Sequence, residues 1–248
     1  MSGWKLAQDR HPSEEGAFGS LDKVFAMRGE PVASDPLSDV VRVEVNGTRY
    51  YVKRYTAAAK NPFRRWLARP RVQAEWENLQ RFESWGIPTA RVVAWGMERK
   101  LGGFVRGALV TEEIRQAEDL AHLARKHDPR LRDPQWVRNV SAQVADATRA
   151  LHSHRFAHND LKWRNILVDR ADPPRVFLID CPSGAFWPFP FIRYRKVKDI
   201  ACLDKLAKYH FSNTQRLRFF LSYRDHTRLT DGDKRFIRQA LHFFRGRE

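Results

Sequence analysis

Cysteine is scarce in this sequence: Cys181 and Cys202 are the only two among 248 residues. They are not paired at close spacing, so the sequence predicts neither a disulfide framework nor a zinc site. Reduced, unpaired thiols are typical of proteins that fold in the cytoplasm.

Long hydrophobic runs are also missing. No run approaches the roughly 18 apolar residues that a membrane-spanning helix needs. The polar start, Met1 to Lys5, lacks the apolar centre of a signal peptide. We therefore expect a cytoplasmic protein, and its 42% hydrophobic residues are enough for a sizeable core.

Acidic residues are too few to balance the basic ones, with 29 Asp and Glu against 45 Lys and Arg, a net charge of +16. Such an excess attracts nucleic acid, anionic lipid or phosphorylated compounds, and charge alone does not choose among them. Two segments combine basic and aromatic residues: Lys60 to Arg71, with Phe63 and Trp66, and Phe186 to Lys198. Both suit an anionic lipid surface. They equally suit an arginine-rich connector and a packed segment below an active site.

The most informative pattern is a polar loop followed by two apolar stretches. Its polar residues stand at fixed offsets: His158, Asp160, Lys162, Asn165 and, after the second stretch, Asp180. This is the spacing of the protein-kinase catalytic loop and its metal-binding aspartate. Phosphoryl transfer needs a carboxylate at the attacking hydroxyl, here Asp160, and oxygen ligands for Mg²⁺, here Asn165 and Asp180.

The first 20 residues mix charge, Gly, Pro and Ser without periodicity, and we expect an irregular N-terminal arm there. From Leu21 to Tyr55 the pattern becomes strand-like. The alternation from Val41 to Val52 around Asn46-Gly47 predicts a hairpin with a type I′ turn.

A helix is expected after Pro70, and its period places Glu75 on the apolar face. An unpaired carboxylate there would be costly, so we expect Glu75 to pair with Lys53 on the outgoing hairpin strand. Two further strands are expected, Arg91 to Gly96 and Leu109 to Thr111. Glu112 and Glu113 follow as a polar crossover whose backbone groups could receive an adenine ring, and Asp119 could reach a ribose hydroxyl. Ordinary linker acids are the alternative. Later helices are expected from Asp133-Pro134, from Asp199 to Tyr209, from Asn213 to about Arg224 and from Thr230 to about Arg245.

The order of these elements resembles the protein-kinase-like fold. Shorter segments look like the bacterial lipopolysaccharide kinases, the WaaP/InaA and Kdo-kinase group: Tyr50 to Arg54, Ala74 to Glu77 with Gly86 to Thr89, and Lys198 to Ile200 with Leu203 to Lys205. The resemblance covers residues 21 to 245. It implies an α+β, bilobal fold with a small antiparallel-sheet N-lobe and one crossing helix at 21–113, then a mostly helical C-lobe at 114–248.

The resemblance also implies a function. It predicts an ATP- and Mg²⁺-dependent kinase that phosphorylates heptose or Kdo of the lipopolysaccharide inner core, peripheral to the cytoplasmic face of the inner membrane. The acceptor would be a lipopolysaccharide core or lipid A-linked sugar, and no nucleic acid is expected. The implied roles are phosphate binding by Lys53 with Glu75, hydroxyl activation by Asp160, phosphoryl neutralisation by Lys162, magnesium binding by Asn165 and Asp180, and support of the loop by His158 and Asp199.

Two departures from protein kinases stand out. Residues 34–38, Ser-Asp-Pro-Leu-Ser, occupy the place of the glycine-rich phosphate loop, and Cys181-Pro182 follow Asp180 where Phe-Gly is usual. The second change implies a site without a phosphorylation-controlled switch. Two other functions stay open: a small protein kinase or other small-molecule phosphotransferase, and a non-catalytic kinase-like scaffold that binds membrane or nucleic acid through its charge.

Overall fold

The computed structural model describes residues 3–57, 66 and 69–246. The chain divides into two compact units. The N-terminal unit comprises Met1–Gln80 and Ala90–Ile114, and the C-terminal unit comprises Arg81–Thr89 and Arg115–Glu248.

The N-terminal unit is built on a six-stranded antiparallel sheet of order β1-β5-β6-β4-β3-β2. Its strands are β1 (Gly3–Leu6), β2 (Glu30–Asp35), β3 (Ser38–Val45), β4 (Thr48–Thr56), β5 (Val92–Lys100) and β6 (Gly103–Glu112). Alternate residues of the central strands, among them Val43, Val52 and Val110, point to one face and form its core.

The hairpin predicted around Asn46-Gly47 is confirmed. Strands β3 and β4 pair from Ser38↔Tyr55 to Val45↔Thr48. Asn46 and Gly47 have φ of 51° and 75°, the two positive values that a type I′ turn requires. The hairpin register places Lys53 opposite Val40 on β3 and Leu109 on β6.

The prediction of an irregular arm over residues 1–20 is wrong. Strand β1 pairs with β5, and helix α1 (Pro12–Phe18) buries Phe18, whose ring meets Tyr50 edge-on at 5.0 Å between centroids. The segment starting at Leu21 is also not a strand but a second helix, α2 (Leu21–Ala26). Segments this short show little periodicity, and packing on the sheet decides their structure.

Helix α3 (Arg71–Ser84) follows Pro70 as predicted and is followed by Gly86, whose φ is 70°. Val72 and Leu79 are buried, and the ring of Trp76 stacks on Trp95 of β5 with centroids 3.9 Å apart. This packing turns the helical face that carries Glu75 towards the sheet.

The C-terminal unit is mostly helical. Its helices are α4 (Leu120–Arg125), α5 (Pro134–Ser153), α6 (Phe191–His210), α7 (Asn213–Arg224) and α8 (Asp231–His242). Two small sheets join them: β7 (Glu118–Asp119), β9 (Ile166–Val168) and β10 (Val176–Leu178), and the pair β8 (Phe156–Ala157) with β11 (Ala185–Phe186). Within the described residues, no helix has the length and apolar character needed to cross a bilayer.

Three of the four predicted helices of this unit begin where expected, with Asp133, Ser212 and Thr230 as N-caps of α5, α7 and α8. Helix α6 does not. It begins at Phe191, so Asp199 lies inside the helix rather than at its start. The exposed Phe191 and Tyr194 interrupt the apolar period of its first turns, which hid the true start.

Candidate active site

Lys53 and Glu75 form a largely buried ion pair in the N-terminal unit. The Nζ atom of Lys53 lies 3.1 Å from Oε1 and 3.0 Å from Oε2 of Glu75, and the two side chains are 17% and 5% exposed. The hydroxyl of Tyr55 also donates to the Glu75 carboxylate. A buried carboxylate needs such partners, so the burial argument from sequence identified the right pair.

A side chain closes the turn that replaces the glycine-rich loop. The carboxylate of Asp35 accepts hydrogen bonds from the backbone N–H groups of Leu37 and Ser38 at 2.6 and 2.9 Å. Burial raises the pKa of Asp35, but these hydrogen bonds and the nearby Arg71 outweigh it and keep the pKa below its usual value. Two N–H groups that might have faced a phosphate are therefore already engaged.

Glu112 and Glu113, at the end of β6, are held by neighbours within the N-terminal unit. Arg91 donates to Glu112 at 2.8 Å, and the Tyr51 hydroxyl donates to Glu113 at 3.2 Å. Their backbone N–H groups bond to the carbonyls of Arg91 and Arg49. The carboxylates and the backbone N–H groups of both residues therefore already have protein partners.

In the C-terminal unit, β8 leads into the loop that carries Asp160. The Asn165 amide nitrogen donates to the backbone oxygen of Asp160 at 2.8 Å and to its carboxylate at 3.3 Å. Lys162 and Arg164 also contact this carboxylate. Burial raises the pKa of Asp160, but Lys162 and Arg164 outweigh it and hold the pKa below its usual value. Asp160 is therefore ionised at neutral pH.

Asn165 and Asp180 lie close together because β9 and β10 pair from Val168↔Val176 to Ile166↔Leu178. The N–H of Ile179 then donates to the carbonyl of Asn165 at 3.0 Å, immediately before Asp180. Because the amide nitrogen of Asn165 donates hydrogen bonds to Asp160, the side-chain oxygen of Asn165 is left to bind a cation. An amide and a carboxylate oxygen are suitable ligands for Mg²⁺.

Two residues of this region adopt left-handed backbone conformations that side chains disfavour: Asn159 has φ of 64° and Asp180 has φ of 56°. Such strain persists only where surrounding contacts hold it, and it is concentrated at functional sites. The loop and the end of β10 therefore have the character of a functional site.

Asp199 and His158 occupy the positions expected for support of the loop. The Asp199 carboxylate accepts hydrogen bonds from the backbone N–H groups of His158 and Asn159 at 2.8 and 2.9 Å. The buried ring of His158 packs beside Phe82, with centroids 6.0 Å apart. Burial lowers the pKa of His158 despite the opposing effects of Asp199, Asp160 and Asp180.

The Asp199 carboxylate also contacts His152, which in turn bonds to Tyr223. Nε2 of His152 lies 3.3 Å from Asp199, and Nδ1 lies 2.8 Å from the hydroxyl of Tyr223. Because a carboxylate can only accept, Nε2 must carry the ring proton and Nδ1 must accept from Tyr223. Sequence reasoning did not find Tyr223, since nothing but an apolar helix position marks it.

Of the basic segment at 60–71, Lys60, Arg64 and Arg65 lie outside the described residues. Trp66 is described, and its indole N–H donates to the Leu101 carbonyl at 2.9 Å. Asp119, considered as a possible ribose contact, instead caps α4 by accepting from the His122 N–H at 2.8 Å.

The chain has the protein-kinase-like fold, as predicted. A structure of WaaP in complex with acyl carrier protein matches 98% of this chain and 97% of that chain, with a TM-score of 0.74 and 22% identity. A crystal structure of Rad53 in complex with AMP-PNP matches 87% of this chain and 57% of that chain, with a TM-score of 0.54 and 20% identity.

The chain belongs to the lipopolysaccharide kinase (Kdo/WaaP) family, whose model matches residues 33–223. It is 31% identical over 128 residues to a 3-deoxy-D-manno-octulosonic acid kinase of Actinobacillus succinogenes, and 31% identical over 115 residues to the enzyme of that name from Pasteurella multocida. The first match covers 49% of this chain and 50% of the relative, and the second covers 46% and 45%. The chain thus spans about half the length of these relatives, and the family resemblance found in the sequence is confirmed.

Proposed function

We propose that this protein is an ATP-dependent kinase that transfers a phosphoryl group to a hydroxyl of heptose or Kdo in the lipopolysaccharide inner core. The arrangement around Asp160 carries the proposal: an ionised carboxylate, bonded to Asn165, in a loop that adjoins the strand end before Asp180. Family membership supports a lipopolysaccharide sugar as the acceptor.

Asp160 would orient the acceptor hydroxyl and accept its proton. Its low pKa makes it a weak base, which is sufficient if the proton leaves late, as a loose phosphoryl-transfer transition state permits. Lys162 lies beside it and is about half exposed, so its ammonium could neutralise charge on the transferred group. Asn165 and Asp180 would hold Mg²⁺, which supplies charge neutralisation of the phosphate oxygens.

In the N-terminal unit, Lys53 would bind the α- and β-phosphates of ATP. Its ion pair with Glu75 limits the positions that the flexible lysine side chain can take. The Glu112–Glu113 segment remains our candidate for the adenine contact, although its carboxylates and N–H groups already have protein partners.

We place the protein at the cytoplasmic face of the inner membrane, in peripheral contact with lipid. The net charge of +16 favours an anionic leaflet, and an inner-core sugar attached to lipid A would be reached from that surface. No nucleic acid is invoked.

Transfer of labelled phosphate from magnesium ATP to dephosphorylated core lipopolysaccharide tests the proposal. Asp160→Asn should reduce the rate by roughly two orders of magnitude or more, because the charge that orients the hydroxyl is lost. Asp146→Asn is the matched control, since this exposed aspartate pairs with Arg149, a partly exposed arginine. No incorporation, or equal incorporation by the Asp160 variant, would contradict the proposal.

Other results of the same assay would select the alternatives. Phosphorylation of a generic basic protein but not of the core sugar would indicate a protein kinase. Absence of magnesium ATP binding in a thermal-shift titration would indicate a non-catalytic scaffold. The mass of the core oligosaccharide from a strain lacking the protein should fall by whole phosphate units, and fragmentation would locate the hydroxyl.

A further inference from the structure

Four aromatic side chains between residues 186 and 194 are exposed. They are Phe186 at 51%, Phe189 at 78%, Phe191 at 63% and Tyr194 at 52%, and we call them the aromatic face. Single exposed aromatic residues are common on protein surfaces, but a concentration of them marks a surface that contacts something else.

The backbone below the aromatic face is anchored. Strand β11 pairs with β8 at Ala185↔Ala157 and Phe186↔Phe156, and the Trp187 N–H donates to the Arg155 carbonyl at 3.0 Å. Ile192, between the exposed Phe191 and Tyr194, is buried. The exposed rings are therefore carried by a segment whose backbone is packed. The rings of Phe186 and Tyr194 also contact Phe156 and Phe243, each with centroids 5.3 Å apart, so packing accounts for part of this segment but not for the exposure of Phe189 and Phe191.

The segment that carries the aromatic face is rich in basic residues. No Asp or Glu occurs between Asp180 and Asp199, whereas Arg193, Arg195, Lys196 and Lys198 all fall in this interval. The guanidinium of Arg195 lies 4.0 Å from the centroid of the Trp187 ring. The first turn of α6 carries no acidic residue to offset the positive end of its helix dipole. An anionic partner is therefore favoured.

The aromatic face also lies next to the catalytic loop within the C-terminal unit. Its first residue, Phe186, pairs across β11 and β8 with Phe156, and Ala157 then leads directly into His158 and the loop of Asp160. Neighbouring strands are only about 5 Å apart. A surface that binds to this segment would thus be close to the proposed phosphoryl acceptor.

We propose that the aromatic face docks on an anionic lipid bilayer, with its rings among the headgroups and the adjacent cations at lipid phosphates. Aromatic rings and cations together are the pair of signals that gives stable peripheral binding. A bilayer is favoured over a protein partner because Phe189 and Phe191 are 78% and 63% exposed, and because the basic residues of the segment are not balanced by acidic ones. The inference rests on the proposed function in one respect: a lipid-linked acceptor requires the loop to face the membrane.

Co-sedimentation of the full chain with vesicles tests this docking. Wild-type protein should bind vesicles of phosphatidylethanolamine with phosphatidylglycerol, and bind phosphatidylcholine vesicles roughly tenfold or more weakly, because the cations lose their lipid partners. The double variant F189S/F191S should weaken binding to the anionic vesicles about tenfold. Arg193→Glu should weaken it several-fold.

Matched controls exist at other surface positions of the same unit. Tyr209 is 71% exposed near the far end of α6, about 27 Å from Phe191 along the helix, and Tyr209→Ser should leave binding within twofold. Arg218→Glu, at an exposed position of α7, controls for net charge. Thermal unfolding of each variant confirms folding, which exposed substitutions should preserve.

Absence of wild-type binding to anionic vesicles would overturn the inference, as would equal losses for Y209S and F189S/F191S. If the protein binds an acidic protein but not vesicles, and F189S/F191S abolishes that binding, the aromatic face would instead be a protein docking site. Concentration-dependent dimerisation that F189S/F191S abolishes, again without vesicle binding, would identify a contact between two copies. The vesicle assay uses neither ATP nor a sugar. A negative result there would contradict membrane docking without bearing on phosphoryl transfer, which is measured in its own assay.

Discussion

Asp199 holds the backbone of His158 at 2.8 Å, joining the middle of α6 to the start of the loop that carries Asp160. Its second oxygen holds the next N–H, that of Asn159, whose backbone is left-handed. The Asp199 carboxylate is fully buried and contacts two backbone N–H groups and a histidine. If one of these groups lost its hydrogen-bond partner, it would stay buried without the bond that offsets its desolvation, so each partner is needed. Asp199 is therefore the first residue to test.

Asp199→Asn should lower kcat for phosphoryl transfer by tenfold or more, with less than a twofold change in KM for ATP. The amide keeps one oxygen acceptor but directs its NH₂ group at a donor, which should also cost about 2–3 kcal/mol in unfolding free energy. Asp204→Asn, on the same helix but paired with Arg216 in a partly exposed position, is the control. Equal losses of kcat in the two variants would refute a specific role for Asp199 in positioning the loop.

Tyr223→Phe should have a smaller effect than Asp199→Asn. It removes the donor to His152 Nδ1 but leaves the ring in place, so we expect a loss of about 1–2 kcal/mol in unfolding free energy. The decrease in kcat should also be smaller, because Tyr223 acts on the loop indirectly, through His152 and Asp199. Tyr209→Phe, at an exposed position, should change neither quantity. Unchanged unfolding of Tyr223→Phe would show that the hydrogen bond contributes no stability.

The protein should lose stability as the pH falls below about 6.5, the usual histidine pKa. Burial lowers the pKa of both His152 and His158, so the unfolded chain takes up protons before the folded one does. Each histidine can contribute a slope of up to about 1.4 kcal/mol per pH unit between its folded-state pKa and 6.5. Urea unfolding at pH 7 and pH 5 measures this difference.

Replacing one of the two buried histidines should flatten that dependence. His158→Phe keeps the ring packing beside Phe82 and removes one of the two contributions. His154→Asn, at an exposed position, is the control and should follow the wild type. Identical slopes for His158→Phe and the wild type would mean that this residue does not cause the acid sensitivity.

Lys53→Met should weaken binding of magnesium ATP tenfold or more and remove a cation that pairs with the buried Glu75 carboxylate. Because Glu75 is only 5% exposed, we expect destabilisation of about 3 kcal/mol in addition to the loss of nucleotide affinity. Glu44→Gln breaks an exposed pair with Arg49 in the same unit and should cost less than about 0.5 kcal/mol. Nucleotide titration by calorimetry and thermal unfolding would measure the two effects, and normal ATP affinity of Lys53→Met would argue against its proposed role.

Phe18→Ala should destabilise the protein by about 3–5 kcal/mol, the usual cost of a large cavity in a core. Phe18 is fully buried against Tyr50, whereas Phe25 is only partly buried, so Phe25→Ala should cost less. Chemical denaturation of both variants provides the comparison. Equal, small losses would mean that residues 3–18 do not contribute to the core.

Those parts of the proposed site whose residues lie close together in the sequence could be predicted from their spacing. The offsets from His158 to Asn165, the strand ending at Asp180 and the turn at Asn46-Gly47 are each short enough for one stretch of sequence to specify them. The pairing of Lys53 with Glu75 was also predictable although the two residues are distant in sequence. Glu75 lies on the apolar face of its helix, and a buried carboxylate needs a cation.

The remaining contacts depend on packing between segments far apart in the chain. Glu14 is buried and accepts hydrogen bonds from the Tyr50 hydroxyl at 3.0 Å and from Arg91, although the sequence around it predicted an irregular arm. Tyr223 meets His152 across 71 positions of the chain. Neither contact has a local signature, since hydrophobic period and turn residues describe only the element in which a residue lies.

The strand β11 that supports the aromatic face follows Gly184. Any side chain at this position would collide with the Cys181 sulfur and the Phe156 ring. Substitution of the exposed rings is therefore sterically possible, whereas substitution of the glycine before this strand is not. What the surface recognises can therefore change through the exposed rings, while the glycine keeps the distance between that surface and Asp160, the proposed catalytic aspartate.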